Sequence, residues 1–297
     1  MKESTNLPSG AAGPDDSELQ VEVNAIPKED YMAFLNAGPA LPAADVEAAH
    51  ARWPILRRYD GGFEQAVREA HDTTPGDIPA IWYVYNMGVL VKTRKSFFSI
   101  DLCHRLAPSI ADELNFAIIT HNHDDHYTEA FYQAMDQRHK TVISNFRDNY
   151  GACLGYDGIG GFSRGEHVFE LGDVTVRTYQ SDHNPLLRGF VMPVEINAGG
   201  YTILHNGDTF NVQDLRPSRT PDIWIHHAWC WSSPDGLSET VRGIRAFHPR
   251  LAAVTHHLEL GHKAGGRRAL SKAIERKAEA EAEGTPALAP FWGDRLV

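Results

Sequence analysis

At 297 residues, with 42% hydrophobic and 23% charged residues, the chain has the composition of a globular protein, not of a disordered, collagenous or disulfide-scaffold one. No stretch approaches the roughly 20 apolar residues that span a bilayer, so no membrane span is expected. A formal net charge of −11 argues against a nucleic-acid partner, because phosphate backbones are held by Lys and Arg. Cys103, Cys153 and Cys230 form no CxxC pair and leave an odd thiol, and the N-terminus has no apolar leader segment. Both features fit a cytoplasmic protein.

Residues 1–20, rich in Ser, Gly, Pro and Asp, predict a disordered tail, and residues 21–77 a helical N-terminal extension. Within the extension, Tyr31 to about His71 reads as mostly helical. A break is expected at Trp53-Pro54, and a further short helix from Gly62 to His71. The extension either packs on the main domain or serves as a dimer arm, so a homo-oligomer is compatible with the sequence. The main domain is read as 78–297. Ala80–Tyr85 and Val89–Thr93 flank Asn86-Met87-Gly88, and with Phe97–Leu102 predict antiparallel strands joined by tight turns. Phe116–Thr120 is a short apolar strand ending at His121, followed by a helix from Thr128 to Arg138 and a strand at Thr141–Ser144. A Gly-rich loop lies between Asn149 and Gly165. Strands are then expected at His167–Glu170, Val174–Gln180, Val191–Asn197, Tyr201–His205 and Asp222–His226. The last third predicts a helix at Ser238–Phe247, a strand at Leu251–Thr255 and a charged, solvated helix from Gly266 to about Glu283. Two β-rich halves with flanking helices predict an α+β sandwich of layers.

The 16 histidines are the unusual feature, and several fall in tight groups. The central signal is Thr120-His121-Asn122-His123-Asp124-Asp125-His126, on a strand-to-helix loop. His121 and His123 are two residues apart, which in an extended segment puts both imidazoles on one side. Asp125 and His126 follow the turn and can face a second ion nearby. Imidazole nitrogen with carboxylate oxygen is the donor set of zinc, and also of iron or manganese. Three further groups end other predicted strands: Ser181-Asp182-His183, Asn206-Gly207-Asp208 and Thr255-His256-His257. Each alone is a weak signal; their order after HxHxDH makes a strong one.

This arrangement resembles the metallo-β-lactamase superfamily from about Ile78 to about His262, including Asp101 at the end of an early strand. The resemblance implies an αββα sandwich with two divalent metal ions at one edge, zinc first, with manganese or iron as alternatives. It implies that His121, His123 and His183 hold one metal. Asp125, His126 and a histidine near 256 hold the other, and Asp208 bridges the two. Gly207-Asp208-Thr209 and Thr255-His256 look most like the branch containing L-ascorbate-6-phosphate lactonase. Relatives there follow the final histidine with an aromatic residue, where this chain has His257. His256 is preferred as the ligand because it comes first after the strand, with His257 and His262 as alternatives. The implied chemistry is attack of a metal-bridged hydroxide on an ester, lactone or phosphodiester of a small-molecule substrate. Asp125 would orient the hydroxide, and His257, if not a ligand, would protonate the leaving group or stabilise the oxyanion.

Around this centre, Asp124 is expected to hold a ligand's second ring nitrogen or to be solvated. Trp229 and Trp231 are candidate pocket walls, with His226 or His227 reaching in, and Arg164 and Arg188 are candidate contacts for an anionic group. The competing readings are a mononuclear iron enzyme resembling persulfide dioxygenases and a non-catalytic metal-binding scaffold.

Overall fold

The early strands are runs of β-branched and aromatic residues with few polar positions, a pattern that needs cover on both faces. In the computed structural model, which describes residues 16–146, 166–229 and 235–297, they receive it. β1 (Ala80–Tyr85), β2 (Gly88–Lys92), β3 (Phe97–Ile100), β4 (Phe116–Ile119) and β5 (Thr141–Ser144) form a sheet in that order. Only Lys92 and Thr141, at strand ends, are partly exposed. β1 to β3 pair antiparallel, as expected, whereas β3, β4 and β5 run parallel.

The second sheet holds β6 (His167–Leu171), β7 (Val174–Thr178), β8 (Val194–Ala198), β9 (Tyr201–His205), β10 (Ile223–His227), β11 (Ala252–Thr255) and β12 (Ala287–Leu288), in the order β12-β11-β10-β9-β8-β7-β6. β6 to β9 form an antiparallel meander, and β9 to β12 run parallel. The alternation of side chains along these strands sorts residues between two cores. Ile203, Ile223, Ile225 and Ala253 join the core shared with the first sheet. Leu204, Trp224 and Ala252 face the other way, against Ile244, Phe247 and Ala280 of the helices α6 (Glu239–Phe247) and α7 (Leu270–Ala282). With α5 (Glu129–Gln137) and the N-terminal helices against the first sheet, the layers are α, β, β, α.

The extension comprises α1 (Asp16–Ala25), α2 (Lys28–Ala37), α3 (Ala43–Arg52) and α4 (Pro54–Asp72). Two expectations are corrected here. α1 begins at Asp16, inside the segment read as a tail, because Leu19 and Val23 bury against the domain. α4 is one 19-residue helix instead of a helix, a break and a second short helix. Pro54 occupies its first position, where a missing N–H leaves nothing unsatisfied. Gly62 lies inside it, and a Cβ there would come within 2.6 Å of the Trp292 carbonyl. The glycine therefore marks the close approach of the C-terminal segment, not a helix boundary. That segment also pairs with β1, through Gly293 N–H to Tyr83 O at 2.8 Å and Leu296 N–H to Ile81 O at 2.7 Å. The expected Gly-rich loop, with Arg164, Cys153, Cys230 and Trp231, lies outside the described residues. No described helix is long and apolar enough to cross a membrane.

The extension packs on its own domain. Tyr31, Tyr59 and Phe63 share the main core. Asp60 of α4 takes the Arg105 guanidinium, with Nε to Oδ1 at 2.9 Å, and lies 2.9 Å from His50 Nε2. The second fastening is Arg267, buried to 8% exposure. It donates from Nε to His262 O at 2.8 Å and from Nη2 to Ile26 O at 2.9 Å and Leu260 O at 3.0 Å, while Nη1 bonds Val23 O. These acceptors include carbonyls at the end of α1, where a helix leaves oxygens unpaired and favours a cation. One side chain thus ties α1 to the loop after β11. Arg267→Ala should destabilise the fold by about 2–4 kcal/mol. In hydrogen exchange, α1 and the 258–268 loop should lose protection together.

Candidate metal centre

Parallel strands point their C-terminal ends the same way, and the two sheets bring theirs to a common edge. β3 leads into Asp101, β4 runs into the His121–His126 loop, β9 into Asn206-Gly207-Asp208, and β11 into His256. The loop after β7 adds His183. The expected residues fall into two groups, His121, His123, His183 and Asp208, and Asp125, His126 and His256. Within each group the candidate ligand atoms lie within 4.8 Å of one another.

Asp208 joins the groups. Its Oδ2 lies 3.8 Å from His121 Nε2, 3.4 Å from His183 Nε2 and 3.2 Å from His256 Nε2, and its Oδ1 lies 3.4 Å from His126 Nε2. Asp125 completes the second group, with Oδ1 3.8 Å from His126 Nε2 and Oδ2 3.5 Å from His256 Nε2. In the first, His121 Nε2 and His123 Nδ1 are 3.1 Å apart. Three nitrogens and a carboxylate oxygen at this spacing suit a divalent metal ion. His126 Nε2, His256 Nε2 and Asp208 Oδ1 are also buried without hydrogen-bond partners, as atoms meant for a cation would be.

Asp101 orients candidate ligands of both groups. At φ 48° it sits where the chain leaves β3. Its Oδ1 accepts the Thr120 N–H and its Oδ2 the Thr120 hydroxyl, each at 2.7 Å. With its proton on Asp101, Thr120 Oγ1 must accept from His121 Nδ1, 3.0 Å away. Oδ2 also lies 2.9 Å from His126 Nδ1. Protons are therefore placed on Nδ1 of both rings and their Nε2 atoms are freed. Gly207, at φ 52°, packs on this relay; a Cβ there would meet Thr120 Oγ1 at 2.7 Å.

The electrostatics follow from burial and proximity. Burial, with His126 as neighbour, pushes His121 well below the usual imidazole range. Burial and His183 bring His123 down to about 4. His126 and His256 go the other way, because Asp208 and further acids outweigh the burial that opposes their charge. Burial likewise opposes ionisation of Asp208, yet His256 and His126 hold it well below the usual carboxylate range. Buried acids that raise His126 and His256 in this way favour positive charge in their midst.

Other expected residues are placed elsewhere. His257, expected as a catalytic residue, is not among the residues brought together in the two groups. Its ring stacks on Tyr83 and its Nε2 donates to Pro290 O at 2.8 Å. His226 stacks on Trp224 in the helix-facing core. His227 comes nearer but donates Nε2 to Thr209 O at 2.7 Å. Asp124 is exposed and 3.6 Å from Lys28 Nζ, so it holds no ligand ring. His262 Nδ1 is 3.9 Å from Asp125 but 2.9 Å from Glu259. Arg188 is exposed. Trp229 does stand at the centre, its ring 6.0 Å from that of His183 and 5.7 Å from that of His256.

Three further residues of the centre lie outside the histidine motifs of the sequence. Asn86 donates to Asp125 Oδ2 at 2.7 Å. Glu259, fully buried, lies 2.5 Å from His256 Nδ1. Phe190 packs beside His121, His123 and His183. An acid between histidines in His256-His257-Leu258-Glu259 was the available hint for Glu259.

The doublet yields a direct prediction. His256→Gln should lose metal from the second group, whereas His257→Gln, which keeps a donor for Pro290 O, should retain the wild-type metal content. Elemental analysis of the two purified variants distinguishes them.

No family model matches the chain. A UPF0173 metal-dependent hydrolase of Staphylococcus epidermidis is 28% identical over 116 residues, covering 35% of this chain. The chain spans about half the length, 49%, of the curated relatives it matches. Among solved structures, a possible metal-dependent hydrolase from Veillonella parvula is similar at TM-score 0.54 and 13% identity, over 73% of this chain and 98% of that one. The diiron β-hydroxylase CmlA from Streptomyces venezuelae is similar at TM-score 0.54 and 15% identity, over 86% of this chain and 60% of its own. The layer order, the site at one sheet edge and these likenesses together give the conclusion that the chain has the metallo-β-lactamase fold.

Proposed function

We propose that the chain is a hydrolase that uses two divalent metal ions to cleave an ester, lactone or phosphodiester bond of a small molecule. Zinc is the first choice, with manganese or iron as alternatives. The observation that carries this reading is Asp208, whose two oxygens face imidazoles of both groups. Support comes from the curated relatives, which are named metal-dependent hydrolases. The Gly207-Asp208-Thr209 sequence favours a lactone or phosphodiester by its likeness to the lactonase branch. The net charge of −11 supports a small substrate over a nucleic acid, and the cysteine usage supports a cytoplasmic setting.

Divalent ions held here would polarise the substrate's carbonyl or phosphoryl oxygen and lower the pKa of bound water to about 7. The protein supplies position. Asp125 is fixed by Asn86, so its carboxylate can orient an attacking water and accept its proton. Thr120 and Asp101 hold His121 and His126 in the tautomers that offer Nε2. Phe190 and Trp229 wall the centre with apolar surface, which limits water and strengthens the electrostatics within.

A second reading rests on the likeness to CmlA, a diiron β-hydroxylase, over 86% of this chain. The same nitrogen and oxygen donors suit iron.

Protein purified without chelator should carry about two zinc or manganese ions per chain. It should hydrolyse bis-p-nitrophenyl phosphate or a member of a lactone panel. Asp208→Ala should lose both ions together, with hydrolysis falling to background. Two irons and no hydrolysis would favour the oxidative reading. One ion that survives Asp208→Ala would contradict the shared site.

A further inference from the structure

The cations nearest the centre are mostly committed. Arg267 gives its donors to backbone carbonyls, and Lys28 faces Asp124. Arg268 is different. Its guanidinium carbon lies 4.2 Å from the centroid of the Trp229 ring, and no carboxylate pairs with it among the described residues. Its Nε is buried without a hydrogen-bond partner, although the side chain as a whole is only partly buried. Its position is fixed, since its own carbonyl accepts the Leu258 N–H at 2.9 Å, two residues after His256. The indole beneath it packs edge to face against His183 of one group and His256 of the other. A positive charge that no acid among the described residues pairs with thus stands on the aromatic wall shared by both halves of the centre.

We infer that Arg268, seated on Trp229, binds an oxyanion on the non-reacting part of the substrate, so that the enzyme acts on anionic esters or lactones. The inference rests on the hydrolase reading above and names its substrate class. A chain of net charge −11 repels anions at long range, so an anionic substrate needs a cation placed within reach of the site. An indole face attracts a guanidinium without neutralising it. The guanidinium's donors then remain free to meet a carboxylate or phosphate as a fork, and that geometry fixes orientation as well as charge. Binding at a distance from the reacting bond places the scissile group over the metal ligands. In the sequence, Arg164 and Arg188 are the candidates for this role. Arg164 lies outside the described residues and Arg188 is exposed on the loop after His183.

The test compares two 4-nitrophenyl esters of adipic acid on the metal-loaded protein. In one the second carboxyl is free, and in the other it is capped as a methyl ester. The ratio of kcat/KM for the anionic ester over the neutral one should fall about 10- to 100-fold in Arg268→Gln. Arg268→Lys should recover part of it. An unchanged ratio, including equal loss on both esters, would overturn the inference. Titration calorimetry with adipic acid monoamide, an anion with no aryl ester to cleave, runs beside it. If the wild type hydrolyses neither these esters nor bis-p-nitrophenyl phosphate nor any lactone of the panel, the hydrolase reading fails, and this titration decides the anion site alone. Binding about tenfold weaker in Arg268→Gln supports the site, and equal binding overturns it.

Discussion

A carboxylate buried among four imidazole nitrogens persists only where positive charge stands beside it, and Asp208 imposes that condition on one whole edge of the molecule. It is 6% exposed and lies between 3.2 and 3.8 Å from His121, His126, His183 and His256. Leaving such a group without compensation costs several kcal/mol, on the order of what holds a domain folded. The four imidazoles come from both sheets, His121 and His126 after β4 of the first, His183 and His256 after strands of the second. The sheets must therefore meet in one register. They do so through bonds at this edge: Met192 N–H to Thr120 O, His256 N–H to Asn86 O, and His205 Nε2 to Met87 O, each 2.8 Å. The chemistry and the sandwich constrain each other.

Around Asp208 the structure spends buried polar groups on orientation. Asp101, Thr120 and Glu259 each touch a candidate imidazole ligand at Nδ1, the ring nitrogen turned away from Asp208, and Asn86 holds a carboxylate oxygen of Asp125. This arrangement decides which ring nitrogen is free, and a wrong tautomer would turn a donor into a blocked position. The helical extension belongs to the same system. Arg267 ties the end of α1 to the loop that carries Glu259 and His262, and Lys28 of α2 reaches Asp124 in the signature loop. The extension thus braces two of the loops at the centre.

Much of this was legible in the sequence because the signature is local. His121, His123, Asp125 and His126 lie within six residues on one strand-to-helix loop, so their types and spacing carry the information. His183, Asp208 and His256 were legible as strand-end residues in a familiar order. Asn86 was visible only as part of a tight turn, since its bond to Asp125 spans 39 residues and exists only in the folded chain. The doublet His256-His257 could not be resolved by spacing. In the structure the two part at the backbone: His256 takes φ 59°, and its ring faces Asp208 while that of His257 faces Pro290. Pro54 and Gly62 misled the reading of α4 for a related reason. Both are helix breakers in isolation, but one sits at a first helical position and the other makes room for Trp292.

The claim on which this account stands is that one carboxylate serves two ions. Diffraction from crystals grown with zinc or manganese, recorded at the metal absorption edge, tests it most directly. The account predicts two anomalous peaks about 3.5–4 Å apart, with Asp208 oxygens bound to both. A single peak, or two peaks of which Asp208 reaches only one, would contradict it.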